Sequence, residues 1–334
     1  MQGLNQGVAQ EAIRNVWEKK RLASSYLFFG PEGTGRAYLA RSLAKTVNCD
    51  AGSFPPCLDC PSCRKVEHYN HPDVHYVEKQ NSDFIKIEQI HQMQREIYLR
   101  PYEGKCKAFI IFNAEGLTEE SSNCLLKIIE EPPENSLIIL IASDLRRIIP
   151  TIISRCHKIR FFALGRREAE DILTRNYNLG GELSHYLAFA YEGKLGEALK
   201  FKDSGILNEK NEIIRHFIKA PGLMFDKSRA SPKSDIPWEY TKLRDKYDSM
   251  DREKLNWILK ALIGCIRDIY LLKIGINDNE LINRDIKDEL RRLAKDFSFS
   301  DLNIILKRLC DWLGNVRQNI NPKLLVDNLR LVCT

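Results

Sequence analysis

The 334-residue sequence predicts an α/β protein, a parallel sheet covered by helices with all-helical units behind it. Three observations predict this. Short apolar runs alternate with helical patterns as far as about residue 162 and then stop. One of those runs leads into Gly30-Pro31-Glu32-Gly33-Thr34-Gly35-Arg36-Ala37, which has the glycine spacing of a phosphate-binding loop. The remainder carries apolar stripes at helical spacing and no strand pattern.

Each element has its own signal. Ala9 to Lys20 reads as a helix and Ser25 to Phe29 as a strand. After the loop, Tyr38 to Ala44 reads as a helix that Cys49 would end. Val74 to Val77 is a strand, and Ile87 to Leu99 is a helix stopped by Pro101. Ala108 to Phe112 and Leu137 to Ala142 carry no charge, as strands covered on both faces require. Between them Thr118 is placed to cap a helix towards Glu131, which Pro132-Pro133 ends. A short helix from Arg147 runs into a last strand, Lys158 to Phe162. Strands alternating with helices predict parallel pairing with right-handed crossovers.

Beyond Leu164-Gly165, Arg166 to Phe201 reads as a small helical unit ending near Glu192-Gly193-Lys194-Leu195-Gly196-Glu197-Ala198-Leu199. Lys219 to Pro237 is richer in Pro, Gly and Ser and reads as a linker or long loop. One stripe follows at Leu255, Ile258, Leu259, Leu262, Ile266 and Ile269, and another at Leu302, Ile305, Leu306, Leu309, Leu313 and Val316, which predicts bundle packing. The expected domains are 1–164, 165–205 and 206–334.

Composition excludes little. Hydrophobic residues at 43% and charged residues at 29% are those of an ordinary soluble protein. The net charge of +6 permits nucleic acid or an acidic partner and demands neither. No apolar run approaches the roughly 20 residues of a membrane span, and Met1 to Arg14 has no apolar signal core. The expectation is a cytoplasmic protein without membrane contact.

Ten cysteines are many for such a compartment, where structural disulfides are rare. Four lie together as Cys49-x7-Cys57-x2-Cys60-x2-Cys63, shaped by Pro55, Pro56 and Pro61. That spacing suits structural, tetrahedral Zn²⁺ with no open position for water. The bland alternative is coincidence, or a redox pair with two bystanders. His68, His71 and His75 nearby are expected at the surface or in loops rather than as ligands, and Cys106, Cys124, Cys156, Cys265, Cys310 and Cys333 as small hydrophobes.

The loop keeps its frame, Gly30, Gly33, Thr34 and Gly35, and alters its chemistry. A working loop places Lys on the β/γ-phosphates and a hydroxyl on Mg²⁺; here those positions are Arg36 and Ala37. Its amides could still bind an anion, so ATP or ADP binding stays open, whereas catalytic Mg²⁺ is not expected. The carboxylate that should follow a neighbouring covered strand is missing too, since Phe112 and Asn113 stand there. Glu115, two residues on, is expected to be solvated. Arg155, in Ser154-Arg155-Cys156 at the sheet edge, is either a salt-bridged surface residue or an arginine finger reaching a neighbouring subunit.

Residues 5–162 resemble the clamp-loader family of bacterial DNA polymerase III and, within it, the delta-prime branch. The resemblance lies in Leu27 to Gly35, the four-cysteine insertion, Ile85-Lys86-Ile87-Glu88-Gln89-Ile90, Arg100-Pro101-Tyr102-Glu103-Gly104-Lys105, Asn123 to Pro133 and Ser154-Arg155-Cys156. Asn321-Pro322-Lys323-Leu324-Leu325 is similar to the family's last helix. The resemblance implies an AAA+ core, a helical lid and a helical collar. It implies zinc on Cys49, Cys57, Cys60 and Cys63, and an arginine finger at Arg155. It places Gly196 where a nucleotide-sensing arginine would stand. It also implies a hetero-pentameric ring with gamma/tau and delta subunits that loads a sliding clamp onto primer-template DNA, in which this chain does not hydrolyse ATP. An active ATPase of gamma/tau type is the alternative, and a lone zinc-stabilised nucleic-acid module is the weakest reading.

Overall fold

The computed structural model describes residues 7–80, 82, 84–202, 205–218 and 252–317. The expected linker at Lys219 to Pro237, the Asn321 to Leu325 segment and Cys333 lie outside these residues. Two units are present, Met1–Ile172 with Glu192–Lys200, and Leu173–Tyr191 with Phe201–Thr334.

The first unit is built on five parallel strands: β1 (Ser25–Phe29), β2 (Val74–Val77), β3 (Lys107–Ile111), β4 (Ser136–Ala142) and β5 (His157–Arg160). Their order is β2-β3-β4-β1-β5. Every pairing is parallel, with Tyr26 beside Ile139 on one side and beside His157 on the other. β3 and β4 are buried throughout, as the apolar runs that follow Lys107 and Ser136 dictate. β5 is the exposed edge, and its Lys158 and Arg160 keep that edge charged.

Alternation along the strands feeds two cores. Tyr26, Phe28, Ile110 and Ile139 point to one face, where α1 (Gly7–Glu18) and α2 (Arg36–Asn48) deliver Ile13, Leu39, Leu43 and Ala44. Leu27, Phe109, Ile138 and Leu140 point to the other, covered by α4 (Ile87–Ile97) and α5 (Glu119–Glu130) through Ile90, Met93, Leu125 and Ile128. The hydroxyl of Thr118 accepts the Ser121 amide at 3.2 Å and starts α5. Pro132 stops it by denying Glu131 the helical conformation. The sequence-predicted strands and caps thus recur within a residue or two. One helix within the cysteine segment, α3 (Pro61–Glu67), was not expected, although Pro61 at its first position signals it.

A polar brace fastens the loop before β3. Buried Asp73 accepts the amides of Tyr102 at 2.6 Å, Glu103 at 2.9 Å and Gly104 at 2.7 Å, with Lys107 Nζ at 3.9 Å. Burial works against the Asp73 carboxylate, yet the three amides and Lys107 hold its pKa below the ordinary value. A depressed folded pKa gives stability that is complete above the unfolded value of about 4 and is lost as pH falls through the folded one. Asp73→Ala should cost about 3–5 kcal/mol near neutral pH, because it strands three amides and leaves buried Lys107 with Glu96 as its remaining carboxylate. Urea unfolding across that acid range checks this; a mutant profile parallel to the wild type's would refute it.

After β5 come α7 (Arg166–Tyr177) and, within the first unit, α9 (Leu195–Ala198); the second unit contains α8 (Gly181–Ala190), α10 (Gly205–Ile218), α11 (Arg252–Lys273), α12 (Lys287–Asp296) and α13 (Phe299–Arg317). The predicted stripe on α11 is buried throughout; on α13 Leu302, Ile305, Leu309 and Val316 are buried, and Leu306 and Leu313 are half-buried. Cys310, about 100° round α13 from buried Leu309, is exposed. No described helix is long and apolar enough to cross a membrane.

Candidate functional site: an altered phosphate loop, a four-thiol cluster and an edge arginine

The loop leaves the carboxyl end of β1 and enters α2. Its glycines are needed for their backbone: Gly33 and Gly35 have φ of 73° and 84°, where a side chain is strained. Gly30 is required for closeness, since a Cβ there would lie 2.3 Å from the Phe161 carbonyl oxygen. Thr34 is buried, and its hydroxyl donates to the Pro31 carbonyl at 2.7 Å, closing the loop on itself.

Arg36 follows on the first turn of α2 and is buried. Its Nη1 donates to the carbonyl of Ala142, the last residue of β4. Burial lowers its pKa, against the pull of Glu115 and Glu32. The guanidinium is therefore tied to the end of a strand. Ala37 packs against the core beside it and presents a methyl group.

The position of the missing carboxylate is equally occupied by packing. Phe112 stacks on Tyr76 with ring centroids 6.2 Å apart, and Tyr76 meets Tyr69 at 4.9 Å. Arg41 of α2 lies over Tyr69 at 5.2 Å. Asn113 is exposed in a left-handed conformation, with φ of 50°. Glu115 departs from expectation. It is half-buried rather than solvated, because Ser143 donates to its Oε1 through both its amide, at 3.2 Å, and its hydroxyl. No short-range sequence signal could have paired residues 115 and 143; only the adjacency of β3 and β4 does so.

The opposite end of α2 carries the second feature. Cys49 caps that helix, and its Sγ lies 3.4 Å from the Sγ of Cys57. Cys57 and Cys63 are 3.9 Å apart, and all four sulfurs, with Cys60, fall within 4.8 Å of one another. Sulfurs around tetrahedral zinc at about 2.3 Å stand roughly 3.8 Å apart, so this donor set fits such an ion. Amides point at the sulfurs, from Cys57 to Cys49 at 3.5 Å, and from Cys60 to Cys57 and Cys63 to Cys60 at 3.4 Å. The amides of Asp59 and Cys60 draw the Cys57 thiol down to about 6. These four residues could hold a metal ion. Asn48 Oδ1 accepts the Lys105 and Cys106 amides, and Lys105 Nζ donates to the Cys49 carbonyl at 2.7 Å, which ties the cluster to the braced loop. His68 is exposed, as expected. His71 lies in a loop outside the thiol set, also as expected, and is buried there with Nε2 3.0 Å from the Ser62 hydroxyl.

Arg155 ends α6 (Pro150–Arg155), just before β5. Its Nε lies 2.7 Å from Glu130 Oε1, with both side chains partly exposed. Because β1 and β5 run parallel with Phe29 beside Arg160, Arg155 sits at the amino end of the sheet and the loop at the carboxyl end. Five residues of strand separate the two levels, roughly 15 Å. Arg155 is out of reach of this chain's own loop.

A family model described as "DNA polymerase III, delta subunit" matches residues 5–164, and one described as "DNA polymerase III, delta subunit, C terminal" matches residues 238–332. The chain is 28% identical to DNA polymerase III subunit delta' of Bacillus subtilis (strain 168), over 96% of this chain and 93% of that one. The chain belongs to the DNA polymerase III clamp-loader family of delta-prime and gamma/tau subunits. The tau subunit of Escherichia coli (strain K12) is 30% identical over 63% of this chain, which spans 33% of that longer protein. A crystal structure of a DNA polymerase III, gamma subunit-related protein from Thermotoga maritima aligns at TM-score 0.49 and 17% identity, covering 97% of this chain and 98% of that one. The expected fold class, a parallel AAA+ type P-loop sheet followed by helical units, is the class observed.

Proposed function

We propose that this chain is a non-hydrolysing, delta-prime-type subunit of a bacterial DNA polymerase III clamp loader. The observation that carries this reading is the fate of three positions in the loop site. The Arg36 guanidinium is bonded to the Ala142 carbonyl, Ala37 has no oxygen, and Phe112 is stacked on Tyr76. A site that activates water on a phosphoryl group needs a cation on the β/γ-phosphates, a hydroxyl on Mg²⁺ and a carboxylate. None of the three positions supplies its part.

The chain acts instead on a neighbour. Arg155 enters the ATP site of an adjacent gamma/tau-type subunit in a five-membered ring that also holds delta. That ring loads a sliding clamp onto primer-template DNA in the cytoplasm. Residues 165–205 form a lid, and residues 206–334 form the collar that holds the ring together. Cys49, Cys57, Cys60 and Cys63 hold structural zinc, which cross-links the cysteine module without taking part in chemistry.

The purified chain is expected to show no Mg²⁺-dependent ATP turnover and to co-purify with gamma/tau and delta subunits. Sustained hydrolysis that Ala37→Glu abolishes would establish the alternative, an active ATPase. Failure to associate with those subunits would defeat the assignment as a loader subunit.

A further inference from the structure

We propose that Lys194–Glu197 is a built-in plug that closes the phosphate loop and holds nucleotide out, so that the loss of ATP chemistry is enforced by shape as well as by missing groups. This rests on the reading of the chain as a non-hydrolysing subunit and gives it a mechanism. The segment belongs to the same compact unit as the loop.

The contact is made backbone to backbone. The Gly196 amide donates to the Gly33 carbonyl at 2.8 Å. A methyl group added at Gly33 would lie 2.9 Å from Glu197 Cγ, 3.0 Å from the Glu197 amide nitrogen and 3.2 Å from Lys194 Cβ. A methyl group at Gly196 would lie 3.1 Å from both the Cα and the carbonyl oxygen of Gly33. The segment is therefore in close van der Waals contact with Gly33, with no space left between the two backbones. Gly33 stands in the arc of amides that would wrap a phosphate.

The plug is anchored from behind. Leu195 and Ala198 are buried, and Gly193 adopts φ of 75° where any Cβ would strike the Leu164 carbonyl. The Leu164 amide donates back to Gly193 at 3.3 Å. Glycine at 196 is what allows the approach. A long side chain there would stand between the segment and the loop.

Binding to a closed site is weakened by the fraction of molecules that are open. A wedge that opens the contact should therefore strengthen binding even though no phosphate-binding group is restored. Gly196→Ala forces a displacement of a few tenths of an ångström, and the branched Gly196→Val a larger one. Affinity for ADP and ATP is measured on the full-length chain by titration of a fluorescent analogue, with unlabelled nucleotide as competitor. The expected order is wild type weakest, then Gly196→Ala, then Gly196→Val, with the valine variant at least about tenfold tighter than wild type. Equal affinity across the three, or tight binding by wild type, overturns the plug. Should the valine variant fail to fold, hydrogen exchange on the wild type decides. The Gly196 amide should exchange slowly and stay slow when ATP is added; rapid exchange, or release by ATP, overturns the proposal. Arg155 plays no part in this test, so its outcome is independent of the arginine-finger assignment.

Discussion

Arg155→Ala, placed in an otherwise intact loader complex, should leave assembly unchanged and lower DNA-stimulated ATP hydrolysis at least tenfold, and by as much as about 10³ if the arginine dominates its site. The structure makes this a sharp test. Arg155 lies at the far end of the sheet from its own loop, so any effect on hydrolysis must be exerted on another subunit. Inside this chain it costs the ion pair with Glu130, at 2.7 Å between partly exposed groups, and an exposed 3.2 Å bond from Nη1 to the Thr151 carbonyl. Pairs of that kind contribute about 0.2–1 kcal/mol, too little to unfold the sheet unit. Glu130→Gln separates the roles. It breaks the same pair while leaving the guanidinium free, so hydrolysis should persist if the arginine works in trans. It should fall with Arg155→Ala if only the pair mattered. Arg155→Lys should rescue poorly, because an ammonium lacks the planar fork that spans two phosphoryl oxygens. Unchanged turnover by the alanine variant would reject the finger.

Cys60→Ser has the second large effect, and it is read on metal rather than on rate. The wild-type chain should carry about one zinc per molecule, and the variant close to none. With one sulfur gone, the three remaining thiols no longer close a tetrahedral shell. Cleavage by a protease between Cys49 and Cys63 should then become rapid. The sheet itself should survive, since Asp73 and Asn48 brace the neighbouring loop without using any thiol. Retention of metal by Cys60→Ser, or its absence from wild-type protein purified without chelator, would remove zinc from the proposal.

The sheet was legible because covered parallel strands need apolar sequence on both faces, and after their first residues β3 and β4 are apolar runs. Helix ends were legible where a side chain does local work, as with Thr118 and Pro132. The four thiols could be read as one constellation, because three of them lie within seven residues. What stayed hidden was every contact made across the fold. The phosphate-loop frame announces Arg36 as a cation near phosphate, and only the return of β4 beside β1 shows it bonded to Ala142. Glu115 and Ser143 are 28 positions apart and meet for the same reason. The approach of Gly196 to Gly33 spans more than half the described chain, and two glycines in sequence give no sign of it. The burial of His71 stayed hidden because periodicity is silent in a loop, where burial follows from the braces around it.

The parallel sheet gives this chain a direction, with Arg155 at its tail and the altered phosphate loop at its head. In a head-to-tail arrangement each interface joins one molecule's tail to the next one's head. A member that can donate an arginine but cannot receive one fits only at the boundary of a series of working sites. Its inertness would then mark where a row of firing positions stops, and so where a closed circle could keep a seam.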